Sequence, residues 1–349
     1  MRFLSLIILA ALSACTAADM QPSEPLEAAT ISPIWSFAEQ APALREQSCP
    51  DGVSFRRAES ISIRVIEAER GSKEARELNL TGMTLAGAWH LESESGFGGL
   101  SGLDVMRSGS LLAIADNGKF VWIGVDSETG VPDGVGSMAY MHDGEGNVWS
   151  DKLAADAEGL SFRDGLAFVS FERDHRVEAY DLEGCGAASR AALVGRLDTV
   201  VDGNRLGDNR GPEALTLKGD QLALGFESHA SGGSPVGNFR LDGTLADLRR
   251  TKQPGLYLLT GMDAADGITA KIFRAYDPVQ GPRGRVQVES GDGVVAEAIL
   301  KKPLPVDNYE GIAIGIAPSG QTRIWLISDD NFSSNQRTLL LALDLDLAS

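Results

Sequence analysis

Short segments in which apolar and polar residues alternate run through most of the chain. Examples are ISIRVIEAE at residues 61–69 and MTLAGAWHLES at residues 83–93. A period of two residues is typical of strands with one buried face. The 40 glycines supply the turns that many short strands need, and the 43% of hydrophobic residues suffice for a sizeable core. The pattern therefore predicts an all-β chain.

From Gly99 onward the alternating segments form a repeat. Each unit begins with Glu or Ser, then Gly or Ala, then Leu or Ile, and it continues through two short strands to an acidic residue. The four units are LSGLDVMRSGSLLAIADNGKF from Leu100, AEGLSFRDGLAFVSFERDHRV from Ala157, PEALTLKGDQLALGFESHA from Pro212 and YEGIAIGIAPSGQTRIWLISDDNF from Tyr309. The first and last polar residues are 14 positions apart in two units, 15 in the first and 19 in the last. Four matching units indicate one structural element used repeatedly.

A repeated unit of two to four short strands is typical of a β-propeller blade. The gap between Glu213 and Glu310 has room for a further blade that includes GLYLLTGM and KIFRAYDPV. At roughly 40–50 residues per blade, residues 53–347 predict six blades, with five or seven left open. The last strand, TLLLALDLDL, is expected to pair with an N-terminal strand and close the ring. A β-sandwich is the alternative, but it does not explain carboxylates at matched offsets.

The first carboxylate of each unit is a candidate for a shared site. Rotational repetition places Glu158, Glu213 and Glu310 around one axis, where like charges repel unless a proton or a cation neutralises them. Calcium suits such a ring because it accepts about six to eight oxygen ligands in flexible geometry. The acidic residues that close the units are expected at the opposite rim or further from the axis: Asp116, Glu172, Glu227, Asp329 and Asp330. The alternative is that each Glu caps a turn within its own blade.

Basic residues recur beside the acidic positions. Arg173, His175 and Arg176 follow Glu172, and Arg337 follows DDNFSSNQ. A guanidinium group binds carboxylates and phosphates through two parallel hydrogen bonds. The arginines therefore form either internal salt bridges or a clamp for an anion. His175 is either a general acid or base, or a rim histidine without a catalytic role.

Three stretches also carry a resemblance to a known family: AEGLSF…FVSFERDHRVEAYDL, NRGPEALTL and NYEGIAI…IWLISDDNFSSNQRTLLLAL. Over roughly Gly99 to Leu345 the chain resembles the bacterial phytase-like family, also described as "esterase-like activity of phytase". The resemblance implies an exported propeller, related in outline to the calcium-dependent β-propeller phytases and acting on phosphate esters or other esters. The basic phosphate-binding runs of those phytases have no clear counterpart here, which leaves phytate open as a substrate.

The charge and the motifs exclude several classes of function. Lys and Arg total 31 against 49 Asp and Glu, and the formal net charge of −18 repels nucleic acids and anionic membrane surfaces. The serine-hydrolase pattern G-x-S-x-G fails because Gly102 directly follows Ser101. The four histidines have no metal-binding spacing, and the chain has neither a P-loop nor a dinucleotide-binding fingerprint.

The first 15 residues, MRFLSLIILAALSAC, predict a lipoprotein signal peptide. LSAC at residues 12–15 matches the lipobox, in which Cys15 becomes the lipidated first residue of the mature chain. An ordinary secretory signal is the alternative. Thr16, which replaces the aspartate that retains lipoproteins at the inner membrane, favours the periplasmic side of the outer membrane.

The remaining chain is expected to have two parts. Residues 16–50 predict a flexible tether and residues 51–349 a phytase-like propeller domain. Cys49 and Cys185 would lie in an oxidising compartment, where a disulfide between them stays an open alternative to two free thiols.

Together these observations predict an exported, calcium-assisted hydrolase of phosphate esters or related esters. The expected metal ligands are Glu158, Glu213, Glu310, Asp329 and Asp330. The residues expected to stabilise negative charge or transfer a proton are Arg173, Arg176, Arg337 and His175. A non-catalytic periplasmic propeller that binds a ligand or acts as a scaffold is the first alternative, and a calcium-dependent lactonase-like esterase is the second. The expected partner is a small-molecule ester, with membrane contact only through the lipid.

Overall fold

Five antiparallel sheets surround one central axis in the computed structural model. The structure describes residues 31–346, apart from residues 94–95, 150, 199, 202, 208–209, 229–231, 253–254 and 292. The first strands of the five sheets contact one another in circular order, which is the arrangement of a five-bladed β-propeller.

The N-terminal part holds two helices and four strands. They are α1 (Phe37–Ser48), β1 (Glu59–Ser62), β2 (Arg64–Glu67), α2 (Lys73–Asn79), β3 (Leu80–Thr81) and β4 (Met83–Glu92). The strands do not form a sheet of their own. Instead, β1 pairs with the outer edge of the first blade, β3 with that of the fourth, and β4 and β2 complete the fifth.

The blades follow in chain order, and each begins with its innermost strand. Blade one contains β5 (Leu100–Val105), β6 (Leu111–Ala115), β7 (Lys119–Val125) and β8 (Pro132–Tyr140). After α3 (Lys152–Ala155), blade two contains β9 (Ala157–Arg163), β10 (Leu166–Phe171), β11 (Arg176–Asp181) and β12 (Ala192–Arg196). A short hairpin of β13 (Val200–Val201) and β14 (Asn204–Arg205) connects it to the next blade.

The second half of the ring contains three further blades. Blade three contains β15 (Ala214–Lys218), β16 (Gln221–Gly225), β17 (Pro235–Phe239) and β18 (Leu245–Arg250). Blade four contains β19 (Leu258–Ala265), β20 (Ile268–Asp277), β21 (Gly281–Ser290) and β22 (Gly293–Leu300). Blade five contains β23 (Tyr309–Ile316), β24 (Thr322–Ser328) and β25 (Leu339–Leu345).

The all-β propeller is confirmed, but it has five blades rather than the six that were preferred from length. The N-terminal strands account for the difference, because they extend three existing blades instead of forming another. The predicted closure of the ring is confirmed: β25 pairs with β4 from Leu339 opposite His90 to Leu345 opposite Met83. This pairing joins the last strand to a strand of the N-terminal part, so the ring has no open seam.

Apolar side chains fill the space between neighbouring blades. Four of the five inter-blade cores are large; the one between blades four and five, for example, includes Tyr309, Leu326 and Leu341. Among the described residues, the core between blades three and four is the smallest, with six buried apolar residues. This seam therefore has less apolar packing than the other four.

Residues 32–50 were expected to belong to a flexible tether, but the structure packs them against blades two and three. Ser36 caps α1 by accepting a hydrogen bond from the Glu39 N–H, and the buried Trp35 and Leu44 join the core between these blades. A disulfide links Cys49 to Cys185, with the two Cα atoms 5.6 Å apart. The predicted signal peptide and Cys15 lie outside the described residues. No helix in the described part of the chain is long and apolar enough to cross a membrane.

Candidate functional site

One polar residue of each inner strand lies at the same register, at the end where the strand enters the central channel. These five residues, here called the inner ring, are Ser101, Glu158, Glu213, Thr260 and Glu310. The channel cavity beside them has a volume of about 10 Å³. It therefore has room for about one water molecule or ion, but not for an organic substrate.

A β-bulge places the inner-ring residue in four of the five blades. In blade two, Gly159 pairs with Ser170 and Ala157 with Phe171, so Glu158 is the extra residue of the bulge. The same shift occurs at Ser101, Thr260 and Glu310. A bulge redirects the side chain that it carries.

In four of the five blades a glycine follows the inner-ring residue and allows neighbouring inner strands to approach closely. A Cβ atom on Gly261 would lie 2.3 Å from the carbonyl oxygen of Glu310, and one on Gly159 would lie 2.8 Å from Cβ of Leu215. Any side chain at these positions would push the blades apart. The repeated carboxylate-Gly-Leu pattern therefore combines a polar group at the channel with tight packing of the inner strands.

A second ring of charged residues surrounds the inner ring at the same rim. The second strand of each blade runs antiparallel to the first, so its last residues return to the inner-ring end. This outer ring contains Asp116, Glu172, Glu227, Arg274 and Asp329. The acidic residues that end the repeat units therefore lie at the same rim as the inner ring. The sequence alone had left open whether they lie at the opposite rim or further from the axis.

Three carboxylates of blade two form the tightest acidic cluster at this rim. One oxygen each of Asp156, Glu158 and Glu172 lies within 4.8 Å of the other two, and this carboxylate triad has the donor set of a metal site. The Glu172 carboxylate also accepts a hydrogen bond from the Gly211 N–H at 2.9 Å. Asp156 was missing from the predicted ligands because no other unit carries an acid two residues before the inner-ring position.

Crowding and burial shift the protonation of these carboxyl groups. Burial, followed by the charges of Glu213 and Glu310, raises the pKa of Glu158 well above its usual value. Burial and the charge of Glu227 have the same effect on the pKa of Glu213. Burial and the charge of Glu310 raise the pKa of Asp329 to about 8. Protons or a cation must therefore compensate these groups near neutral pH.

Arg274 occupies the outer-ring position of blade four and neutralises part of this charge. Its guanidinium lies 3.3 Å from a Glu227 oxygen and 3.3 Å from a Glu310 oxygen, and it donates a hydrogen bond to the Asn308 side chain at 2.9 Å. Although burial opposes its charge, Glu310, Glu213 and Glu227 raise the pKa of Arg274. Sequence reasoning missed Arg274, although KIFRAYD aligns with the acid-terminated second strands of the other units.

A large pocket opens beside Arg274, between blades four and five. Its volume is about 1140 Å³. Four basic side chains line it: Arg274, Arg283, Lys302 and Arg337. The Nε atoms of Arg274 and Arg283 are buried without a hydrogen-bond partner. We call this cavity the basic pocket; its four basic residues outnumber the two acids that also line it, Glu227 and Asp307.

The predicted basic residues of blade two have different environments. Arg173 donates to the Asp156 carboxylate at 2.6 Å and thus contacts the carboxylate triad. Arg176 is buried inside blade two, where it pairs with Glu178 at 2.8 Å and stacks on the Phe171 ring. The structure therefore does not bring the Arg176 guanidinium to the rim, because packing and ion pairing hold it in the blade interior.

His175 is partly buried, and its backbone carbonyl accepts a hydrogen bond from the Leu197 N–H. It belongs to the same β10–β11 turn as Arg173, but it does not line the basic pocket. A role of His175 in acid or base chemistry stays a prediction.

Asp329 and Asp330, the last acidic pair, have different environments. Asp330 accepts hydrogen bonds from the Gly99 N–H, the Phe332 N–H and the Thr338 hydroxyl, so it links blades five and one. Asp329 is buried at the rim, near Glu310. The structure thus favours Asp329 over Asp330 as a member of the charged rim.

Arg337, in contrast, reaches the basic pocket. Its Nε lies 3.5 Å from an Asp307 oxygen, and nearly half of its side-chain surface is exposed. It is therefore available to a ligand of the pocket.

Solved structures match the chain only at low similarity. The glutaminyl cyclase of Myxococcus xanthus is 14% identical, with 85% of this chain and 100% of that chain covered and a TM-score of 0.43. The aldose sugar dehydrogenase of Streptomyces coelicolor is 13% identical, with 82% and 98% covered and a TM-score of 0.40. A protein of unknown function from Dyadobacter fermentans is 10% identical, with 84% and 97% covered and a TM-score of 0.41. At these values none of them indicates an activity for this chain.

The comparison with protein families is more specific. No curated protein matches the chain. The family model described as "Phytase-like: Esterase-like activity of phytase" matches residues 95–332, which include all five inner strands and both charged rings. The chain therefore belongs to the phytase-like family.

Proposed function

We propose that this protein is a calcium-assisted hydrolase of phosphate esters or related esters. The observation that supports the proposal is the position of the carboxylate triad and the basic pocket, which flank the inner ring on one face of the propeller. A cation and an anionic group can thus be bound side by side. Hydrolysis of a phosphate ester needs both, because negative charge develops on the phosphoryl oxygens.

The residues at the rim fit a bound calcium ion. Asp156, Glu158 and Glu172 supply oxygen donors within 4.8 Å of one another. Oδ1 of Asp116, on the outer ring, is buried without a hydrogen-bond partner. We propose that the triad holds the ion, with Glu213, Glu310 and Asp329 as the surrounding negative charges. When bound, calcium would polarise the ester and lower the pKa of a coordinated water molecule.

The basic pocket supplies the contacts for the substrate. Arg274 and Arg337 are placed to bind an anionic group, and Arg283 and Lys302 add positive charge behind it. At about 1140 Å³ the pocket is large enough for an organic ester. Leu256 and Tyr276, which are 78% and 71% exposed, line the pocket and offer apolar surface to the organic part of the substrate.

Within this proposal, Glu310 and Glu227 orient the Arg274 guanidinium through the two 3.3 Å contacts. Arg173 holds the Asp156 carboxylate in place and is a positioning residue rather than a ligand of the substrate. Arg176, by its burial, stabilises blade two only.

The proposed location follows from the N-terminal residues. We propose that the chain is an exported lipoprotein attached through Cys15 on the periplasmic side of the outer membrane. Mass spectrometry of the full-length protein purified from membranes tests this. A diacylglyceryl modification that is absent from Cys15→Ser supports the anchor, and an unmodified Cys15 in the mature protein contradicts it.

The hydrolase proposal is tested with a soluble chain that begins at residue 16. Hydrolysis of p-nitrophenyl phosphate, phytate and p-nitrophenyl acetate is measured with calcium and with excess chelator. Calcium-dependent turnover of one of them supports the proposal and identifies the ester class. No turnover of any substrate, together with a melting temperature that calcium does not change, would contradict it and favour a ligand-binding or scaffold propeller.

A further inference from the structure

A second basic cavity lies between blades three and four and shares no lining residue with the basic pocket. Its volume is about 340 Å³. Its basic residues come from both blades: Lys218, Arg249, Arg250, Lys252 and Lys271. Among the lining residues that the structure describes, Glu289 is the one acid. We call this cavity the seam cleft.

The concentration of positive charge is unusual for this chain. The whole protein carries a formal net charge of −18, yet five cations and one acid line the part of the seam cleft that the structure describes. The apolar core at this seam is also the smallest of the five. The seam thus combines the smallest apolar core with a cavity lined by basic side chains from both blades.

The interior of the seam cleft is built around Lys271. This side chain is 5% exposed and pairs with Glu289 at 2.6 Å. Lys218 donates to the Thr269 hydroxyl at 3.3 Å and so connects blade three to blade four. Burial lowers the pKa of Lys271, and the charges of Arg249 and Lys218 add to the lowering while Glu289 opposes it. A bound anion would reduce this repulsion.

The entrance of the seam cleft is open. Lys218, Arg249 and Lys252 are exposed, and a Cβ atom on Gly267 or Gly293 would meet no neighbouring atom. Arginine and lysine side chains at an open cleft suit tetrahedral oxyanions, which accept several charge-assisted hydrogen bonds at once. The volume exceeds that of a phosphate ion alone and falls in the range of small-ligand pockets.

We propose that the seam cleft is a binding site for a phosphate-bearing organic anion, separate from the channel rim. Exposed Arg249, Lys252 and Lys218 bind the phosphate, and Thr269 and Gln287 offer polar contacts to the attached organic group. The phosphate belongs either to a free phosphorylated sugar or to an anionic lipid headgroup. The proposal does not depend on the hydrolase activity of the rim.

The test measures binding by isothermal titration calorimetry in the presence of a calcium chelator. The probes are glucose 6-phosphate, inorganic phosphate and, as an uncharged control, glucose. The variant is Arg249→Gln with Lys252→Gln, and its matched control is Lys73→Gln with Arg107→Gln, which removes two exposed charges elsewhere. Co-sedimentation with phosphatidylglycerol or phosphatidylcholine vesicles distinguishes the lipid source from the free one.

We expect the cleft variant to weaken binding of the phosphorylated probe at least about tenfold, and the control variant to leave it within about twofold. Binding to phosphatidylglycerol vesicles alone, lost in the cleft variant, supports the site with a lipid headgroup as its ligand. Binding that the cleft variant leaves unchanged but Arg337→Gln abolishes would overturn the proposal, because the anion would then occupy the basic pocket. The absence of binding below about 10 mM for every probe and vesicle would also overturn it.

Discussion

Blade two and blade four have the same backbone at the channel rim but carry opposite charges there. The inner-ring and outer-ring positions are Glu158 and Glu172 in blade two, and Thr260 and Arg274 in blade four. Both inner-ring residues occupy the same β-bulge. The repeated geometry therefore sets where the side chains lie, and the individual residues decide what each part of the rim can bind.

Ser101 and Thr260, the two hydroxyl residues of the inner ring, show which contact between blades this position makes without a charge. Thr260 donates to the Tyr309 carbonyl at 3.1 Å, and Ser101 donates to the Ala157 carbonyl at 2.6 Å. Each hydroxyl thus connects its blade to the next one without any charge. Because a hydroxyl suffices for that contact, the buried carboxylates in the other three blades are better explained by a ligand than by blade packing.

Replacing the acid of blade two is expected to have the largest effect. We expect Glu158→Gln to lower hydrolytic activity at least about 100-fold and to remove the stabilisation by calcium, because it takes a donor from the carboxylate triad. Activity assays and thermal unfolding with and without calcium measure this. The control, Glu128→Gln, changes an exposed acid in the β7–β8 turn at the opposite end of blade one. Unchanged calcium stabilisation in Glu158→Gln would place the ion elsewhere.

The second-largest effect is expected for the pH dependence of stability. The Asp329 carboxyl has a pKa raised from 3.8 to about 8, so between these values the folded protein binds more protons than the unfolded chain. Its stabilising contribution is complete below the unfolded pKa and is lost as the pH rises through the folded pKa.

In chelator, we therefore expect the free energy of unfolding to fall by about 3–4 kcal/mol between pH 5 and pH 8. Urea unfolding at several pH values measures it. Asp329→Asn is the matched variant and should show a weaker decrease. A stability that rises over this interval in the wild type would show that the rim carboxyl groups are not protonated in the metal-free protein.

Sequence reasoning found the repeat but not the way the rim differs from blade to blade. Equal spacing from Glu158 to Glu172 and from Glu213 to Glu227 predicted equivalent positions, and the propeller confirms the repeat. The bulges were not predictable, because a one-residue shift between two strands depends on the partner strand. Arg274 was missed because it is a base at a position where the other units carry an acid.

Five blades were among the numbers that the sequence left open, and the preference for six had a related cause. Residues per blade were counted along the chain, whereas β1, β3 and β4 are added to blades whose other strands lie far away in the sequence. The Cys49–Cys185 disulfide, with a sequence separation of 136, was likewise undecided until α1 was seen packed on blade two. Local patterns predicted the strands, but contacts between distant segments had to come from the structure.

A substitution in blade four tests the role of the basic part of the rim. We expect Arg274→Gln to raise KM for an anionic ester about tenfold while calcium still stabilises the protein, because the carboxylate triad is intact. Steady-state kinetics and thermal unfolding are measured in parallel. Arg107→Gln, which removes an exposed arginine elsewhere, is the control. If Arg274→Gln instead removed the calcium effect and left KM unchanged, the two halves of the rim would not have separate roles.

The smallest effect is expected at Arg173, which separates a positioning role from direct contact with the substrate. Its guanidinium is bound to Asp156 at 2.6 Å and holds that carboxylate in place. We expect Arg173→Gln to lower kcat/KM by no more than about threefold and to weaken calcium binding by no more than about threefold. Calcium titration by calorimetry and steady-state kinetics provide the two readouts. A loss of about 100-fold in kcat at saturating calcium would instead mean that Arg173 stabilises the transition state, because that magnitude is typical of removing a group that contacts developing charge. In that case the anion would lie over blade two, and the basic pocket of blades four and five would be left to bind the rest of the substrate.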